Sequence, residues 1–112
     1  QWLAVNTTHY VGHEGNEAYA QEHSIPYPIL NDNSGETGRA YKATRTPEMF
    51  IIDTDGRIVY HGAIDNAPLG RLGPDQTEKI NYVDKALSEM LAGEEITTPK
   101  TKPYGCTVKY KD

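Results

Sequence analysis

At 112 residues the chain has room for one small domain, and a domain of this size buries only part of its surface, so modest stability is expected. Its 11 lysines and arginines stand against 16 aspartates and glutamates, a net charge of −5, which is the wrong sign for a phosphate-binding surface and argues against a nucleic-acid partner. No apolar run approaches the roughly 20 residues that span a bilayer, so no membrane segment is expected, and a single cysteine excludes an internal disulfide and any cysteine-based zinc cluster.

Trp2 to Asn6 is apolar and ends in a polar Asn-Thr-Thr, the pattern of a buried parallel strand that delivers its loop to one edge of a sheet. A domain rarely begins inside its core, so the chain is expected to be a piece of something longer. Asn6-Thr7-Thr8 fits the glycosylation triplet, a pattern common by chance. Glu14 to His23 reads as a short helix with Ala18 and Tyr19 inward and acidic residues near its start, where the helix dipole favours them. Ser24 to Pro28 must be extended, because each proline disfavours helix in the residue before it. Ile29-Leu30 adds a short strand. Asn31 to Gly35 is a turn cluster, and a brief helix through Arg39 to Lys42 follows.

The centre of the sequence is Ala43 to Asp65. Met49 to Ile52 is a continuous apolar run, expected of a central strand covered on both faces. Asp55-Gly56 signals a two-residue type I′ hairpin turn, and Arg57 to Tyr60 supplies the return strand. Proline in Thr46-Pro47 cannot donate to a ladder, so it marks a strand start, where a cis bond is expected. These elements give the order β-α-β-α-β-β.

Ala67 to Pro74 carries glycine and proline around Leu69 and Leu72 and reads as a surface loop or lid. Asp75 and Glu78 are spaced for a capping box, after which Ile80, Val83, Ala86, Leu87, Met90 and Leu91 recur at helical spacing. Gly93 is placed to end this helix, which is expected to pack on the hairpin. The predicted organisation is a domain over residues 1–93 and a docking tail over residues 94–112.

The run Thr-Pro-Glu-Met-Phe-Ile-Ile-Asp-Thr-Asp-Gly-Arg-Ile-Val-Tyr from Thr46 to Tyr60 resembles the corresponding stretch of thioredoxin-fold redoxins. Tyr60 to Asp65 is similar to the Tyr-x-Gly-x-Ile-Asp of their peroxiredoxin-like, AhpC/TSA-type members. Gly105-Cys106-Thr107-Val108-Lys109-Tyr110 is similar to their closing tail. The resemblance spans most of the chain and implies an α/β thioredoxin-like fold, incomplete at its N-terminus, with a mixed sheet, a β-hairpin and a long C-terminal helix. It also implies a thiol-disulfide or peroxide oxidoreductase that needs no cofactor and whose partner is a protein or peptide thiol, a disulfide or a peroxide. The family's Cys-x-x-Cys, which works because a helix N-terminus lowers a thiolate's pKa and a second thiol resolves the mixed disulfide, is not in this chain. Expected to remain here is the wall of Arg45, Thr46 and Pro47, where the family pairs backbone with an extended substrate. An incomplete sheet is expected to leave an edge and apolar surface from Trp2, Val5 and the Phe50 strand, to be covered by an upstream segment, a second copy or a swapped strand.

Other readings stand beside this one. Arg45 is either a cation favouring a nearby thiolate or a solvated loop residue. Cys106 is either a third redox cysteine or, as is commoner for a lone cysteine, a small buried hydrophobe. His9 and His13 have the spacing of two metal ligands on a helix but flank a loop with no clear third ligand. Asp53 to Gly56 lacks the closing residues of a calcium loop, and His61 at a strand end has no serine or cysteine marking it as a base. The rival in a different class is a non-catalytic polypeptide-binding module of a larger protein, since fold alone does not assign activity.

Overall fold

In the computed structural model, which describes residues 1–112, the chain forms two compact units, Gln1–Thr44 with Thr107–Asp112, and Arg45–Cys106.

In the first unit the opening apolar run is a strand over Ala4–Asn6 (β1), followed by a helix over His13–Glu22 (α1) and a strand over Ile29–Asn31 (β2). The two strands are parallel, with Val5 opposite Leu30, so α1 is the crossover that parallel pairing requires. Trp2 (43%), Val5 and Leu30 are exposed, which corrects the reading of Trp2 to Asn6 as a buried strand and agrees with the apolar surface expected from Trp2 and Val5, because a two-stranded sheet with one polar helix has too little apolar surface to cover both faces. Ala18 and Tyr19 are likewise exposed rather than inward, and the buried residue of α1 is Asn16. This helix has no apolar stripe to bury. It is tied down by a polar contact instead, Asn6 Nδ2 donating to Asn16 Oδ1 at 2.6 Å.

A short helix over Glu36–Ala40 (α2) follows the turn cluster, a few residues before the expected place. Asp32 fixes its start. The carboxylate is buried and accepts from the N–H groups of Thr37 (3.0 Å) and Gly38 (2.8 Å) and from the Thr7 hydroxyl (3.0 Å), satisfying helix-start donors that have no partner within the helix. Residues of the tail close the unit: Val108 N–H donates to Thr44 O, the Tyr110 hydroxyl donates to Ala43 O at 2.6 Å, and the Arg39 guanidinium lies 4.4 Å above the Tyr110 ring.

Burial alone pushes the Asp32 carboxyl up. The N–H groups of Gly38 and Thr37 and the hydroxyls of Thr7 and Thr37 together outweigh it and hold the group below the ordinary carboxylate range. A folded pKa below the unfolded one makes a contribution to stability that is present above the unfolded value, about 3.9, and is lost as pH falls through the folded value. Urea midpoints measured from pH 6 down to pH 3 should therefore fall more steeply in the wild type than in Asp32→Asn. Equal slopes would remove this role.

The second unit opens with a two-residue strand, Arg45–Thr46 (β3), which forms a two-stranded sheet with the tail strand Cys106–Thr107 (β6). The hairpin strands are Met49–Ile52 (β4) and Ile58–Gly62 (β5), antiparallel with Met49 opposite Gly62 and Ile51 opposite Tyr60. Two details differ from expectation. The turn is not type I′: Gly56 has φ +80° and Asp55 has no positive φ. Asp53 organises it instead, its carboxylate accepting from the N–H groups of Asp55 and Arg57, both at 2.9 Å, an Asx-type closure. Nor is β4 covered along its length. Ile51 is buried while Ile52 is exposed, because successive side chains of a strand point to opposite faces and Ile51 is on the face that packs with Val83 and Ala86. Strand β5 is the one flanked on both sides, by β4 and by the tail: His61 N–H donates to Pro99 O and Thr101 N–H to His61 O.

Helix Tyr82–Leu91 (α3) covers the hairpin, with Val83 and Ala86 buried against Ile51 and Tyr60. It starts later than the expected capping box. The Asn66 amide accepts from Ile80 N–H (2.8 Å) and donates to Glu78 O (3.0 Å), committing that stretch to non-helical pairing, and Asn81 becomes the N-cap by accepting from Asp84 N–H. Gly93, with φ +72°, ends the helix as expected.

Candidate functional site

The Arg45–Pro47 segment is exposed at Thr46 and Pro47 and half-buried at Arg45, and the Thr46–Pro47 bond is cis. It is held from beneath by a residue that sequence reasoning passed over. Glu48 has a side chain only 3% exposed. One carboxylate oxygen accepts from Arg45 N–H at 3.1 Å, and the other is 2.6 Å from His61 Nε2. A carboxylate only accepts, so the imidazole supplies the proton of this bond. The His61 ring is fixed in turn by stacking on Phe50, with centroids 4.4 Å apart and 13° between planes. A carboxylate this deeply placed needs such partners, because taking an unpaired charge from water costs several kcal/mol. Its place beside the proline is visible in the sequence, but the strand pairing that sets Phe50 opposite His61 is what brings the imidazole to it.

On its tail side the segment meets Gly105. With φ +134° and the Thr46 carbonyl directly against the position a Cβ would take, only glycine lets the two backbones approach so closely. The next residue, Cys106, is exposed. This corrects the expectation of a buried hydrophobe: a tail lying along a two-residue edge strand has no second layer to cover it. Iodoacetamide should accordingly label Cys106 in the native protein at a rate within a few-fold of that in urea. Protection by an order of magnitude or more would contradict its exposure.

Model matching places the AhpC/TSA family over residues 3–61, more than half of the sequence. The chain belongs to the AhpC/TSA family. Its fold is accordingly the thioredoxin-like α/β fold. Among solved structures, this AhpC/TSA chain is similar to a hypothetical protein from Sinorhizobium meliloti 1021, with 26% identity and a TM-score of 0.76. It is also similar to an uncharacterized conserved protein from Geobacillus kaustophilus, with 27% identity and a TM-score of 0.78. Each alignment covers 97% of this chain but only 61% and 59%, respectively, of the other, so the chain spans about three-fifths of the length of these relatives. No curated protein matches the sequence.

His9 packs edge-on against Tyr10, and His13 is 3.8 Å from Glu17 on an exposed helix face. No group of three or more His, Cys, Asp and Glu residues is placed to hold a metal ion. The lid stretch borders a cleft of about 610 Å³ lined by Asp65, Pro68, Leu72, Tyr82, Pro103 and Tyr104. There the Tyr104 hydroxyl donates to Asp65. That bond lowers the Asp65 carboxyl and raises the Tyr104 phenol to about 12, so the pair closes the tail onto the end of the hairpin at neutral pH.

Proposed function

We propose that this chain is the part of a thiol-disulfide or peroxide oxidoreductase that presents the substrate-facing wall Arg45-Thr46-Pro47, with the redox cysteine pair supplied from outside these residues. The observation that carries the proposal is the wall itself. An AhpC/TSA chain places exposed Thr46 and Pro47 over a buried Glu48 that fastens the Arg45 backbone. In such an enzyme a thiolate attacks a disulfide sulfur or a peroxide oxygen, and its reactivity depends on a lowered pKa and on the partner thiol that resolves the product. The chain's role is to hold an extended substrate against that thiolate across the exposed Thr46 and Pro47. Arg45 adds a positive charge beside the wall.

The sole cysteine favours a second reading, a non-catalytic thioredoxin-fold module that uses the same wall to hold a polypeptide. The two readings separate on one prediction. The isolated 112 residues should not turn over in an insulin-reduction assay, because one thiol cannot cycle between intramolecular dithiol and disulfide. A reading frame with Cys-x-x-Cys roughly 20–40 residues upstream of Gln1, about one strand and helix, should be active. Turnover by the isolated chain would overturn the assignment of the chemistry to an outside pair, and an upstream frame without that pair would favour the binding module.

A further inference from the structure

We infer that Glu48 is a positioning residue for the wall: its carboxylate bridges a fixed point, His61, to the backbone of Arg45 and so sets the edge that an extended polypeptide would meet. The inference rests on the proposed wall and adds to it the group that shapes it.

His61 is anchored three ways. Its N–H and C=O are both engaged by the tail, to Pro99 O at 3.0 Å and from Thr101 N–H at 3.1 Å, and its ring is stacked on Phe50. Glu48 is the link, almost wholly buried, with one oxygen toward each end. Arg45 N–H is the held end. A buried carboxylate bonded at both oxygens keeps its orientation because turning it away would break both hydrogen bonds. Hydrogen bonds to an ionised acceptor are the stronger kind, so the turn between Arg45 and Glu48 is held more firmly than an exposed two-residue strand would be by itself. Pairing with an extended peptide requires an edge already ordered, since ordering it on binding would subtract from affinity.

The test follows amide hydrogen exchange by NMR in wild type, Glu48→Ala, Glu48→Gln and His61→Ala of the 112-residue chain, together with binding of a reduced, carboxamidomethylated insulin B chain. Glu48→Ala should speed exchange at Arg45 by about tenfold or more, the scale of one charge-assisted bond, while the Thr101 amide, held by His61 O, changes less than threefold. Glu48→Gln, which keeps an acceptor for Arg45 N–H, should stay within about threefold of wild type. His61→Ala, a change at a partly exposed ring, should also speed Arg45 exchange, and it carries the test if Glu48→Ala does not fold. Affinity for the B chain should fall in parallel with Arg45 protection. Unchanged Arg45 exchange in the folded variants, or equal acceleration at Arg45 and Thr101, would overturn the inference. If wild type does not bind the B chain, the polypeptide wall fails, and Glu48 as the group that sets the Arg45 edge is judged on the exchange data alone.

Discussion

Gly62→Ala is expected to remove most of the stability of the chain. Gly62 is buried at the end of β5 with φ +149°, and a Cβ there would run into the backbone carbonyl and the hydroxyl of Thr101. Two penalties combine, a backbone conformation that side-chain-bearing residues rarely adopt and the insertion of a methyl into filled space, each about 1–3 kcal/mol. A loss of roughly 4 kcal/mol is a large share of what a small domain has. Gly56→Ala is the internal control. It also has positive φ, +80°, but nothing lies within 4 Å of its Cβ, so the backbone term of about 1–2 kcal/mol acts alone. Urea denaturation of both variants decides the matter. Equal midpoints would mean that the tail at Thr101 yields and that the close approach is not a constraint.

Tyr60→Ala is expected to be as severe, by about 3–5 kcal/mol, for a different reason. Tyr60 is the largest wholly buried side chain, packed with Ile51, Val83 and Ala86. Its hydroxyl also closes a ring of hydrogen bonds: it donates to Ala63 O at 2.5 Å and lies 2.6 Å from Thr101 Oγ1, which accepts from Ala63 N–H at 3.0 Å. Tyr60→Phe separates the contributions. It keeps the packing and drops the hydroxyl, leaving the Ala63 carbonyl without that donor, so a loss of about 1–3 kcal/mol is expected. Calorimetry of the pair should show Phe well above Ala in melting temperature. If the two variants melt together, the ring of hydrogen bonds rather than packing sustains this part of the core.

Gly62 and Tyr60 also mark a boundary in what could be read before the structure. Tyr60-x-Gly62 is visible as a motif, and its place at the end of a return strand follows from the β-branched Ile58 and Val59 after the Asp55-Gly56 turn signal. That Gly62 is required because Thr101 crosses it is not visible, since the two are far apart in the chain and nothing local to either predicts the meeting. Asn66 teaches the same lesson. The spacing of Asp75 and Glu78 satisfies a capping-box pattern, but one buried amide from a distant loop binds Glu78 O and Ile80 N–H and outcompetes it. A local motif worth about 1 kcal/mol yields to two tertiary hydrogen bonds that the fold has already placed.

By itself, the sequence determined the hairpin, the α3 stripe of Val83 and Ala86, the glycine stop at Gly93 and the strand start marked by Thr46-Pro47. Each of these depends on neighbours within a few residues, where backbone sterics and side-chain period act directly. Tertiary structure alone decided that Glu48 is buried beside His61, that Asn16 rather than Tyr19 faces inward, that the exposure of Trp2 and Val5 wins over the burial their apolar run suggests, and that Cys106 is open to solvent. Burial is settled by how much covering surface other segments bring. A two-stranded sheet with a polar helix brings too little for Trp2, and a hairpin closed by α3 and the tail brings enough for a carboxylate whose partners arrive from across the strand.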